Sequence, residues 1–195
     1  MTYNPDIHHR RSIRLKGYDY SQAGAYFVTV CTQNRECLFG EVIDGEMVLN
    51  DIGKIVAGEW MKTGAIRNNV ALDKWVVMPN HFHGILVVDD GRGTAHRAPT
   101  VEQFGQPVSG SIPTIIRSFK SAVTKRINEI RKTPGEKLWQ RNYYERIIRN
   151  ENELNHIREY IANNPMKWKL DRGNPDKGMG NAGIPQKRMD EPWQI

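Results

Sequence analysis

Apolar and polar positions alternate along "AYFVTVCTQ", a run rich in β-branched and aromatic residues, which predicts a first strand beginning at Ala25. "LFGEVIDGEMVLND" sets Asp44-Gly45 between two apolar stretches, the strongest short-range signal for a β-hairpin. From Asp51 to about Asn68, Ile52, Ile55, Val56, Trp60 and Ile66 recur near helical spacing and predict a first helix. "VALDKWVVMP" and "HFHGILVVDD" read as two strands joined by a turn at Pro79-Asn80, whose ring and side-chain amide both favour turning. Ile112, Ile115, Ile116, Phe119, Ala122, Val123, Ile127 and Ile130 trace a 3.6-residue stripe, a second helix whose outer side is basic. "KLWQRNYYERIIR" alternates as a further strand. In "ENELNHIREYIANNP", Leu154, Ile157 and Ile161 form a last helical stripe that Pro165 ends.

The order is strand, hairpin, helix, strand, strand, helix, strand, helix. Its centre matches an α+β, ferredoxin-like (split βαβ) arrangement: an antiparallel sheet with helices on one face, plus an extra β-hairpin. Residues 1–24 are polar, basic and aromatic and read as a flexible basic N-terminal arm. Residues 25–168 form the domain, and 169–195 carry too few apolar residues to fold alone and read as a disordered C-terminal tail. Gly91 to Gly110 is rich in Gly, Pro, Ser and Thr without periodicity, which predicts a long functional or mobile loop.

The 195 residues suit one domain with a real core. Lysine and arginine number 28 against 22 acidic residues, and the net charge of +6 suits a polyanionic partner. No run is long and apolar enough to span a membrane, and "MTYNPDIHHRRSIRLKG" has no hydrophobic signal core, so a cytoplasmic protein is expected. Of the two cysteines, Cys31 falls in an apolar strand pattern and reads as a buried free thiol.

The chemistry concentrates in "WVVMPNHFHGILVV". In a strand, His81 and His83 project from one face, roughly 7 Å apart along the chain, and two imidazoles on one face can hold a metal. On the last helix, Tyr160 and Asn164 are four residues apart and share a face, with His156 one turn earlier. If that helix packs over the histidines, two imidazoles and an amide oxygen could hold a divalent ion beside a phenol. Tyrosine, with a pKa of about 10, needs such help to attack a phosphodiester at neutral pH. Tyr143 and Tyr144 are rival nucleophiles, Asn163 is a rival ligand, and His156 is an auxiliary ligand, a proton shuttle or, as the reading favours, an exposed helix residue. The chain has no GxxxxGK[ST], which accords with a reaction that needs no nucleoside triphosphate.

"HFH", its context "WVVMPNHFHGIL", and the flanks "GAYFVTVCTQNR" and "LWQRNYYERIIRNENELNHIREYIANNP" resemble the single-tyrosine HUH transposases, where U is a hydrophobic residue. Within them the chain is most similar to the REP-associated tyrosine transposases, bacterial proteins tied to repetitive extragenic palindromes, over about residues 10 to 168. The resemblance implies a nuclease and strand transferase that binds a DNA hairpin and cleaves single-stranded DNA beside it through a covalent phosphotyrosine. By motif position Tyr160 would be the nucleophile, and His81, His83 and Asn164 the metal ligands. Insertion-sequence relatives usually carry Gln where this chain has Asn164, one methylene shorter. The implied cofactor is Mg²⁺ or Mn²⁺, with imidazole ligands favouring Mn²⁺. Arg10, Arg11, Arg14 and Lys16 of the arm, with Arg117 and Lys120 of the second helix, are the candidate DNA contacts. A nucleoid-associated location follows, with monomer and homodimer both open. A non-catalytic module binding structured DNA or RNA is the alternative, and a larger replication initiator or relaxase fits the short chain less well.

Overall fold

The computed structural model describes residues 18–89, 108–171 and 173–178. Most of the arm, including Arg10, Arg11, Arg14 and Lys16, lies outside the described residues, as do the greater part of the 91–110 loop and the end of the tail. The elements are β1 (Gly24–Cys31), β2 (Gly40–Ile43), β3 (Glu46–Leu49), α1 (Asp51–Ala65), β4 (Val70–Met78), β5 (His81–Val88), α2 (Ile112–Arg131), β6 (Tyr144–Ile148) and α3 (Glu151–Asn163).

Local chemistry sets their ends. Asp44 and Gly45 both take positive φ, 50° and 82°, which is the turn that lets β2 and β3 pair without splaying. Asn50 and Asn150 cap α1 and α3, each side-chain oxygen accepting a backbone N–H three residues on. Pro113 occupies the first turn of α2, where its missing N–H costs nothing.

Four strands form one antiparallel sheet in the order β4-β5-β1-β6, the topology of the split βαβ arrangement, and β2-β3 stands apart as the extra hairpin. Alternation divides the sheet into two faces. One carries Tyr26, Val28, Val30, Phe82 and Leu86 and packs under α1 and α2, with Trp60, Ile115, Ile116, Phe119 and Val123 completing the main core. The other carries Phe27 and Ile85, with Ile148, and is covered by Ile157 and Ile161 of α3. Thus α1 and α2 share a face as expected, and α3 is added to the opposite one. Its narrow stripe matches the smaller apolar patch there.

The strand expected over 137–149 is confined to β6. Ahead of it Leu138 and Trp139 are core residues, and Trp139 makes a single antiparallel bridge to Thr32. Beyond α3 the chain continues in short 3-10 turns at Trp168–Leu170 and Pro175–Gly178, so the segment read as a tail begins with ordered structure. Among the described residues no helix is long and apolar enough to cross a membrane.

Candidate metal and nucleophile site

β5 lies inside the sheet, so both of its histidines are buried: His81 is 2 % exposed and His83 5 %. They project from the α3 face with ring centroids 4.6 Å apart. His83 stacks on Phe27, and its Nδ1 lies 2.8 Å from the Thr29 hydroxyl of β1. His81 Nδ1 lies 2.9 Å from Asn80 Oδ1.

From above, α3 brings the remaining groups. Tyr160 Oη lies 3.4 Å from His83 Nε2, a long contact, and the phenol ring packs edge-on against His83 and Phe27. Asn164, one turn on, is 4 % exposed. Two buried polar atoms here carry no hydrogen bond, His81 Nε2 and Asn164 Oδ1. Both are Lewis bases, and leaving such atoms unpaired is costly unless something else satisfies them. An imidazole nitrogen and an amide oxygen, beside a second imidazole and a phenol, suit a divalent ion of intermediate hardness, so the residues fit the implied metal.

Electrostatics keeps the imidazoles neutral, the form that ligates metals. Burial pushes His81 down to about 4, helped by the Arg35 charge and opposed by the Asp171 carboxylate and by Asn164. Burial, then His81 and Arg35, holds His83 well below its usual range.

The structure separates the rival residues. Tyr143 belongs to the opposite face, with its hydroxyl on Glu145. Tyr144 shares the histidine face but lies on β6, with β1 between it and β5. His156 is exposed, and Asn163 is half-buried where Asn164 is buried. Cys31 and Cys37 are free thiols; Cys31 is half-buried, and burial raises its pKa.

Arg117 and Lys120 line a separate groove of about 1230 Å³ between α2 and residues 132–141, where six cationic side chains face Glu129 and Glu136. The Lys120 ammonium is already engaged, donating to the carbonyls of Gln140 and Arg141 at 2.7 and 3.2 Å, and burial lowers its pKa to about 8. Sequence reasoning missed Thr29 and Asn80. The one sequence signal for Thr29 is strand parity, and Asn80 reads there as a turn former.

The split βαβ sheet with its flanking helices is a fold that a known protein shares. The chain has the fold of a REP-associated tyrosine transposase solved bound to a REP hairpin, with a TM-score of 0.51 at 22% identity over 81% of this chain and 72% of that one. A candidate transposase from Deinococcus radiodurans R1 aligns with a TM-score of 0.40 at 22% identity, over 77% of this chain and 97% of that one. No family model matches the sequence. An uncharacterized protein of Haemophilus influenzae is 44% identical over 179 residues, 87% of this chain and 96% of the relative, and the chain belongs to one family with it.

Proposed function

We propose that this protein is a metal-dependent, single-tyrosine transposase of the HUH type that cuts and transfers single-stranded DNA beside hairpins. The observation that carries the reading is the contact of Tyr160 Oη with His83 Nε2, next to the unpartnered His81 Nε2 and Asn164 Oδ1. A candidate nucleophile and three candidate ligands come together from β5, α3 and the residue that caps α3. The solved transposase of this fold is bound to a REP hairpin, and the reading carries that class of partner over to this chain.

In the proposed reaction Tyr160 Oη attacks a backbone phosphorus, forming the tyrosine O–P bond while one phosphodiester P–O bond breaks. The phenolic proton leaves to water and the departing oxygen takes one up as a free hydroxyl. The phosphoester link conserves the bond energy for strand transfer. His81, His83 and Asn164 would hold Mn²⁺ or Mg²⁺, which when bound polarises the phosphate and neutralises charge as it develops. Buried aromatic neighbours, Phe27 and Trp168, limit water at the histidines. The groove bearing Arg117 supplies sequence-independent phosphate contacts, joined in this reading by Arg10, Arg11, Arg14 and Lys16 of the arm.

The test is a denaturing gel of the protein with hairpin-bearing single-stranded oligonucleotides and Mn²⁺. The parent protein is expected to give a cleaved strand and a covalent adduct mapping to Glu159–Asn164. Tyr160→Phe should bind the hairpin and give neither, while Tyr143→Phe and Tyr144→Phe give both. An adduct on Tyr143 or Tyr144 would displace Tyr160. Absence of any adduct across substrates and metals would leave a non-catalytic DNA- or RNA-binding module as the better reading.

A further inference from the structure

We infer that Asn80 is a positioning residue: it locks His81 in the tautomer that leaves Nε2 free for an ion, and the segment after α3 completes the lock through the Gly173 carbonyl. The inference rests on the metal-site reading proposed above.

Asn80 is fully buried and its side-chain polar atoms are all engaged. Its Nδ2 donates to the carbonyls of Arg35 and Gly173. A carbonyl can only accept, so the amide cannot be flipped: the NH₂ faces those two oxygens and Oδ1 faces His81 Nδ1 at 2.9 Å. An amide oxygen also can only accept, so His81 Nδ1 must carry the proton. In a neutral imidazole the lone pair is then on Nε2, the nitrogen that is buried without a partner. His83 offers the contrast. Its Nδ1 meets the Thr29 hydroxyl, which can donate or accept and so leaves the tautomer open.

The lock has three parts, two from residues 32–35 just past β1 and one from far along the chain. Thr32, just past β1, secures the backbone carbonyl of Asn80 with its N–H at 2.9 Å and its hydroxyl at 3.0 Å. The Arg35 carbonyl is presented by two consecutive residues in the left-handed region, Asn34 at φ 55° and Arg35 at φ 58°. Non-glycine residues adopt that conformation at a cost, and here it aims a carbonyl at Asn80. The third part is the segment beyond α3. Trp168 packs near the His81 ring, and Asp171 accepts the Gly173 N–H. A Cβ on residue 173 would lie 2.8 Å from Arg35 Nη1, 2.9 Å from Asp171 Oδ1 and 3.3 Å from Asn80 Oδ1, so an alanine there would push on the side chains that surround this carbonyl, Asn80 among them.

The test uses the full metal-free chain and long-range ¹H–¹⁵N NMR of the histidine rings, which reports each tautomer directly, followed by titration with Mn²⁺ alone. The parent should show His81 as a single Nδ1–H form. Asn80→Ala and Gly173→Ala should each convert it to a mixture or to the Nε2–H form, leave His83 unchanged, and weaken Mn²⁺ binding about 10- to 100-fold. An Nε2–H parent, or an unaltered tautomer and affinity in folded Asn80→Ala, would overturn the inference. Should Asn80→Ala not fold, Gly173→Ala decides alone, and an unaltered tautomer there removes the segment from the lock. A parent that binds no Mn²⁺ would instead defeat the metal reading, while the tautomer result stands.

Discussion

Burying two imidazoles side by side makes their neutrality a source of pH dependence. With the His81 folded-state pKa near 4 and an unfolded value of about 6.5, the unfolded chain binds the extra proton between those limits. Stability from this group is therefore complete above pH 6.5 and is lost as pH falls toward 4, by about 3 kcal/mol, and His83 adds to it in the same direction. Urea midpoints of the metal-free chain should drop steadily from pH 7 to pH 4.5, and His81→Gln should flatten the curve. A flat profile in the parent would contradict buried neutral imidazoles. Gly84, between His83 and Ile85, shows how tightly the same strand is packed. A Cβ there would lie 2.7 Å from Trp60 and 2.8 Å from the Phe82 ring, so Gly84→Ala should cost about 1–3 kcal/mol of stability measured in urea.

At the scale of elements, α3 carries Tyr160 and ends at its C-cap Asn164, and packing on the sheet sets its position. Ile157 and Ile161 bury against Phe27, Ile85 and Ile148, while Arg158 pairs with Asp73 of β4 and Glu153 with Arg146 of β6. The ion pairs are partly exposed and screened, so apolar burial holds the helix. Ile161→Ala should cost about 2–4 kcal/mol and, on the proposed function, reduce DNA cleavage more than hairpin binding, because it loosens the helix that carries the proposed nucleophile. Asp73→Asn should change the urea midpoint less; the reverse order would give the polar contacts the larger role. The α3 stripe was legible in sequence as Leu154, Ile157 and Ile161. The sheet face it would cover was not, because both faces present apolar residues and periodicity within a helix says nothing about its partner.

For the whole molecule, a net charge of +6 and a groove bordered by six cations against two carboxylates predict binding that weakens steeply with salt. Replacing Arg117, Lys125 or Arg141 with glutamine should each lower the slope of log K against log salt by about one unit if the side chain meets a phosphate, with little change in melting temperature. Lys120→Met should instead lower stability, since its ammonium ties α2 to the Gln140 and Arg141 carbonyls. Unchanged slopes in all three glutamine variants would make the groove a solvated surface.

By itself the sequence determined the element order, the hairpin turn, the two-face alternation of the strands and the pairing of His81 with His83 on one face. Each depends on residues that are neighbours along the chain, where backbone geometry alone sets spacing and direction. Only the tertiary structure decided that α3 lies over the histidines, which brings Tyr160 to a residue 77 positions earlier and sets Tyr143 on the other face and Tyr144 on a different strand. It also decided the role of Asn80, whose amide meets partners 45 and 93 positions away. A turn-forming asparagine looks the same in sequence wherever its side chain goes, and the buried acceptors that orient this one come together only after the sheet has formed and the chain beyond α3 has returned to it.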